Sequence, residues 1–110
     1  MKTVEIFYFD GCPTWQRAVE QVRHVIAQAG LQEEAAIQTV RVETDDQAKR
    51  ARFLGSPTVR VNGQDVEPAS QGRTDFGLQC RVYEYGGRLS GLPSSDLIRT
   101  ALGVGEGSCL

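Results

Sequence analysis

The chain has 110 residues, 40 % of them hydrophobic and 24 % charged, which suits one globular domain with a real core and excludes a disordered chain. Its net charge of −2, with only short basic clusters, lacks the electrostatic footprint of a nucleic-acid binder. The longest apolar run, residues 4–9, is interrupted by Glu5 and falls far short of the roughly 20 residues that cross a bilayer.

Residues 3–9 read as a first strand, dense in Val, Ile, Phe and Tyr and apolar enough to lie in the centre of a sheet covered on both faces. Asp10-Gly11 breaks it. From residue 14 to residue 29 the spacing becomes helical, with Trp15, Ala18, Val19, Val22, Val25, Ile26 and Ala29 on one stripe and Gly30 at the stop position. Residues 36–43 read as a second strand. Thr44-Asp45-Asp46-Gln47 resembles a capping box, opening a short helix expected to run to about Leu54 and stop at Gly55.

Residues 57–61 predict a third strand, and Asn62-Gly63 is a hairpin signal with residues 64–67 as the return strand before Pro68. Residues 69–79 are polar and read as a loop. Residues 81–85 are strand-like, Gly86-Gly87 turns the chain, and residues 88–90 can pair back. Whether 64–67 or 81–85 is the fourth strand of the sheet stays open. Leu97, Ile98, Ala101 and Leu102 form the apolar face of a last helix, started by Ser94 and stopped by Gly103. The expectation is one α/β domain over residues 1–103, with an insertion at about 68–92 and a flexible tail at 104–110.

Three cysteines, an odd number, do not make a secreted disulfide framework. The N-terminal residues lack the apolar stretch of a signal peptide. A reducing cytoplasmic setting is therefore expected, with no membrane partner. Cys12 stands at the strand-to-helix turn, where unpaired N–H groups and the helix dipole favour a thiolate, the reacting form of the thiol. Pro13 would suit the first helical position, and Cys12 is expected at the exposed mouth of the turn. Asp10 opposes ionisation if it lies close.

Cys80, before a strand, is either a buried strand-edge residue or a second, resolving thiol. Cys109 is expected to be a tail residue. His24, the single histidine, should lie on the solvent side of the first helix, which disfavours a cysteine hydrolase. Trp15 should be partly buried at the helix start, as a core anchor that could also flank the thiol, and Tyr8, Arg60 and Asp75 are possible neighbours of the site. Metal-ligand spacing is absent, so no structural zinc is expected, although Cys12 and Cys80 together could take a soft ion.

A strand followed by Cys12-Pro13-Thr14-Trp15 at a helix start, and later Gly55-Ser56-Pro57-Thr58 at a strand start, resembles the thioredoxin superfamily. Residues 3–67 and 94–102 carry the resemblance. It implies a thioredoxin-like sandwich: a central mixed sheet of four to five strands flanked by about three helices. It also implies Cys12 as nucleophile, Ser56 and Pro57 as substrate contacts with Pro57 cis, and Pro13 and Trp15 beside them. The segments around Cys12, Ser56 and Gly77-Leu78-Gln79-Cys80-Arg81-Val82-Tyr83 further resemble the bacterial DF family (seleno)proteins. Some members of that group carry selenocysteine where Cys12 stands, which implies a redox position.

Trp15 occupies the place of the second cysteine in a CxxC motif, so a local resolving thiol is missing. The expected activity is a thiol-dependent oxidoreductase acting on disulfides, glutathione adducts or peroxides. No cofactor is expected, with glutathione as a conceivable co-substrate and a small thiol or protein disulfide as partner. Two other readings stay open: a thiol-based binder of soft metals or organomercurials, and a redox-inactive thioredoxin-like module that binds partners.

Overall fold

The computed structural model describes residues 2–103, so the expectations for Cys109 and the 104–110 tail fall outside the described residues. The protein is an α/β fold built on a mixed four-stranded sheet. Strand β1 (Lys2–Tyr8) leads through the Cys12 turn to helix α1 (Trp15–Gln28), then to β2 (Ala35–Arg41) and α2 (Asp45–Ala51). Strands β3 (Thr58–Val61) and β4 (Gln64–Asp65) follow, then one 3-10 turn at Pro68–Ser70. The hairpin β5 (Tyr83–Tyr85) and β6 (Arg88–Ser90) precedes the last helix, α3 (Ser95–Ala101).

The sheet order is β2-β1-β3-β4. β1 pairs parallel with β2, Lys2 opposite Ala35 and Tyr8 opposite Arg41, and antiparallel with β3, Val4 opposite Val61 and Phe7 opposite Thr58. Its central position explains its sequence, because alternate residues must be apolar on both faces. Val4 and Ile6 enter one core with Val22, Val25 and Ile26 of α1 and Ile98 of α3. Phe7 faces the other way, against Val42, Ala48 of α2 and Phe53.

The open question about the fourth strand resolves in favour of the hairpin return. Gln64–Asp65 joins the sheet, and Asn62 and Gly63 both take the positive φ that such a turn requires. Tyr83–Tyr85 pairs only with Arg88–Ser90, as a separate two-stranded unit.

The second helix ends earlier than expected. It stops at Ala51 because Arg52, not Gly55, adopts the left-handed conformation, at φ 56. Thr44 caps its other end, accepting from the Gln47 N–H at 3.1 Å. The first helix also begins one residue later than expected. Thr14 is its N-cap and Pro13 lies outside it, so proline here shapes the turn rather than the first helical residue.

Candidate functional site

Cys12 lies at the C-terminal end of β1, in a turn closed by its own N–H on the Phe9 carbonyl at 3.1 Å. It is buried, with 3 % of the residue accessible, which corrects the expectation of an exposed thiol. Burial follows from what covers the sulfur. Sγ lies 3.4 Å from the Ser56 carbonyl oxygen and donates to it, and 3.3 Å from Thr14 Oγ1. The Ser56–Pro57 peptide that brings this carbonyl in is cis.

Thr14 is the residue that sequence reasoning missed. An N-cap threonine ordinarily turns its hydroxyl onto the helix's free N–H groups. Here the Thr14 side chain makes no capping bond and faces the thiol instead. A threonine at the N-cap two residues after a turn cysteine was the available signal.

These contacts set the acidity of Cys12. Burial pushes the thiol up, against its charged form, but the Thr14 hydroxyl and the Thr14 and Trp15 backbone, with the neighbouring buried Ser56 hydroxyl, outweigh it. The net position is below the ordinary thiol value. Asp10, two residues before Cys12, is paired with Arg41, which reaches Glu43 as well, at 3.5 Å.

Cys80 stands beside this centre on a different segment. Ser56 and Cys80 form an isolated parallel bridge: the Ser56 N–H donates to Gln79 O at 2.8 Å, and the Arg81 N–H donates to Ser56 O at 2.9 Å. One carbonyl, that of Ser56, therefore accepts from both the Cys12 thiol and the Arg81 amide. Cys80 itself is exposed and both described cysteines are free thiols. The alternative of a buried strand-edge cysteine is thereby removed.

Gly55 makes the close approach possible. Its φ is +121, and a Cβ there would lie 3.0 Å from both the Arg81 nitrogen and the Gln79 oxygen. Arg81 then fixes the segment from the other side. Its side chain is fully enclosed and forks onto Asp65 at 2.6 and 2.9 Å, with Glu67 at 3.1 Å. Asp65 and Glu67 hold the guanidinium charged against the cost of burial. Tyr83 adds a bond from its hydroxyl to Pro57 O at 2.6 Å.

The other expected site residues divide. Pro13 is exposed at the turn and Pro57 is buried next to Ser56. Trp15 is half-buried at the helix start, as expected, and stacks on Tyr8, ring centroids 3.9 Å apart, so it anchors against the end of β1. His24 is exposed on α1. Arg60 lines a cavity of about 300 Å³ with Arg52 and Arg73, a set that does not include Cys12. Asp75 pairs with Arg73 at 2.6 Å. Glu5 and Asp65 sit opposite Arg60 on its two neighbouring strands.

Among the described residues no group of three His, Cys, Asp or Glu side chains is placed to hold a metal ion, and no helix is long and apolar enough to cross a membrane. Comparison with family models, curated proteins and solved structures finds no match for this chain.

Proposed function

We propose that the chain is a thiol-disulfide oxidoreductase of thioredoxin-like type in which Cys12 is the attacking thiolate. The observation that carries this reading is the Thr14 hydroxyl 3.3 Å from the Cys12 sulfur, able to donate to the thiolate, in a helix-start turn whose backbone also favours the ionised form. The thiolate attacks one sulfur of a substrate disulfide R–S–S–R′. A Cys12–S–S–R bond forms, the substrate S–S bond breaks, and R′–S⁻ leaves to take a proton from water.

Two routes complete the cycle. A small thiol such as glutathione attacks the Cys12 mixed disulfide and regenerates Cys12. Alternatively the Cys80 thiolate attacks the Cys12 sulfur, forming Cys12–S–S–Cys80 and releasing R–S⁻, after which an external dithiol returns two electrons. The shared Ser56 rung favours the second route, because it holds the Cys80 segment against the residue that touches Cys12. Pro13, exposed at the turn, is the proposed substrate contact; Ser56 and Pro57 are enclosed and the Ser56 amide is occupied by Gln79, so they position the thiol and do not meet substrate directly.

The test is the alkylation rate of Cys12 against pH with a small reagent such as iodoacetamide, followed by disulfide mapping after incubation with a model disulfide. A midpoint below that of a free thiol and a mixed disulfide on Cys12 are expected, both lost in Cys12→Ser. A midpoint at or above the free value, with no Cys12 adduct, refutes the reading. Stoichiometric mercury binding without any disulfide exchange would instead identify a soft-metal binder.

A further inference from the structure

A cleft of about 240 Å³ lies directly beside the Cys12 turn. Its apolar floor is Phe9, Val42 and Leu78, and its charged rim is Asp10, Arg41 and Glu43. Gly11 also borders it. Neither cysteine lines the cleft, but it borders the stretches that run into them, residues 9–11 immediately before Cys12 and Leu78 two residues before Cys80.

The rim does not balance. Arg41 is the single cation and it serves two carboxylates, Asp10 closely and Glu43 at 3.5 Å, so the three groups sum to one negative charge. All three side chains are more than half exposed, so a ligand at the surface can reach them despite their mutual pairing. The volume is below the usual range for a whole small-molecule ligand but suits one side chain or a short aliphatic arm. A floor of carbon and a rim of negative charge match an aliphatic cation, whose stem packs on the floor while its head stays in water at the rim.

We infer that this cleft selects the substrate of Cys12: disulfides that carry an aliphatic ammonium or guanidinium group a few bonds from the sulfur, such as a protein cystine flanked by lysine or arginine. The inference rests on the oxidoreductase reading. It makes Asp10 and Glu43 specificity-determining residues and Arg41 the group that moderates them. Glutathione, with two carboxylates and one ammonium, is then a poorer partner than a basic disulfide.

The experiment uses the full reduced chain and three small disulfides: cystamine (two ammoniums), bis(2-hydroxyethyl) disulfide (neutral) and dithiodiglycolate (two carboxylates). The rate of mixed-disulfide formation at Cys12 is followed by mass spectrometry, and each rate is divided by that of 2-mercaptoethanol with the same disulfide. At low salt cystamine should lead the neutral disulfide by about threefold and dithiodiglycolate by about tenfold. This is the scale expected for one net charge acting across several ångströms in a water-exposed setting.

Salt should compress that spread. Glu43→Gln should bring the three rates within about twofold of one another. Arg41→Gln, which leaves two unopposed carboxylates, should widen the cystamine preference, and Glu20→Gln on α1 should change nothing. Equal normalised rates for the three disulfides, or a preference untouched in Glu43→Gln and Arg41→Gln, overturns the inference while leaving Cys12 reactive. No adduct at Cys12 with any disulfide would overturn the oxidoreductase reading, and this inference with it.

Discussion

Asp65→Asn tests how firmly the Cys80 segment is held. Arg81 is enclosed, with no accessible side-chain surface, and Asp65 supplies both of its shortest bonds, 2.6 and 2.9 Å. Removing one partner of a buried ion pair costs about 3–5 kcal/mol, because the remaining charge is left uncompensated. Two features reduce that figure here. Glu67 remains at 3.1 Å, and the asparagine oxygen still accepts one hydrogen bond, so a loss of about 2–3 kcal/mol is expected. For a domain of this size each kcal/mol lowers Tm by roughly 4–8 °C, which gives a fall of about 10–20 °C. Thermal unfolding followed by circular dichroism reads it, and urea unfolding with an unchanged slope confirms that stability alone has moved. A fall below 3 °C would mean that the Arg81 network does not anchor the segment.

Three further outcomes follow from the site. Thr14→Val removes the hydroxyl that faces the sulfur and should slow Cys12 alkylation at pH 7 by about threefold to tenfold, with little change in Tm because Thr14 makes no capping bond. Gly55→Ala forces a Cβ to 3.0 Å from the backbone of Gln79 and Arg81 at a φ of +121, and should destabilise by about 2–3 kcal/mol, read by urea unfolding. Because the fold holds the Cys12 thiol below its ordinary value of 9.0, ionisation of Cys12 favours the folded state. Stability relative to Cys12→Ala should therefore be highest at and above pH 9 and decline as pH falls through the lowered folded value, a sign that pH-dependent urea unfolding checks.

The parts of this molecule that local sequence determines were legible in advance. Alternation on both faces of β1, the helical stripe of α1 and the Asn62-Gly63 turn depend on neighbouring residues, and the structure agrees with them. Two features depend on non-local packing. Nothing local in the sequence marks Arg81 as buried, because its enclosure depends on carboxylates 14 and 16 residues away. Cys12 reads as exposed because turn residues usually are, yet the Ser56 carbonyl closes over it from 44 residues away. Thr14 was overlooked for the opposite reason: its sequence role as a cap is so common that a hydroxyl turned onto a thiol carries no separate pattern.

The same long separations give a last test of the resolving route. A CxxC disulfide closes a very short loop and constrains the unfolded chain little. A Cys12–Cys80 bond would span 68 residues, counted as 80 − 12, and the chain-entropy relation gives about 4 kcal/mol of stabilisation for a loop of that length if the folded state accommodates the bond without distortion. Ser56 pairs with Cys80 and its carbonyl meets the Cys12 sulfur, which places the two cysteine segments on either side of one residue. Mild oxidation of the full chain, with Cys12→Ser and Cys80→Ser as controls, should raise the urea midpoint in the unmodified protein alone. An oxidised Cys12–Cys80 form no more stable than the reduced one would mean that the two segments must move apart from their shared rung to form the bond. In that case Cys80 is not placed to resolve Cys12, and an external thiol must complete the cycle.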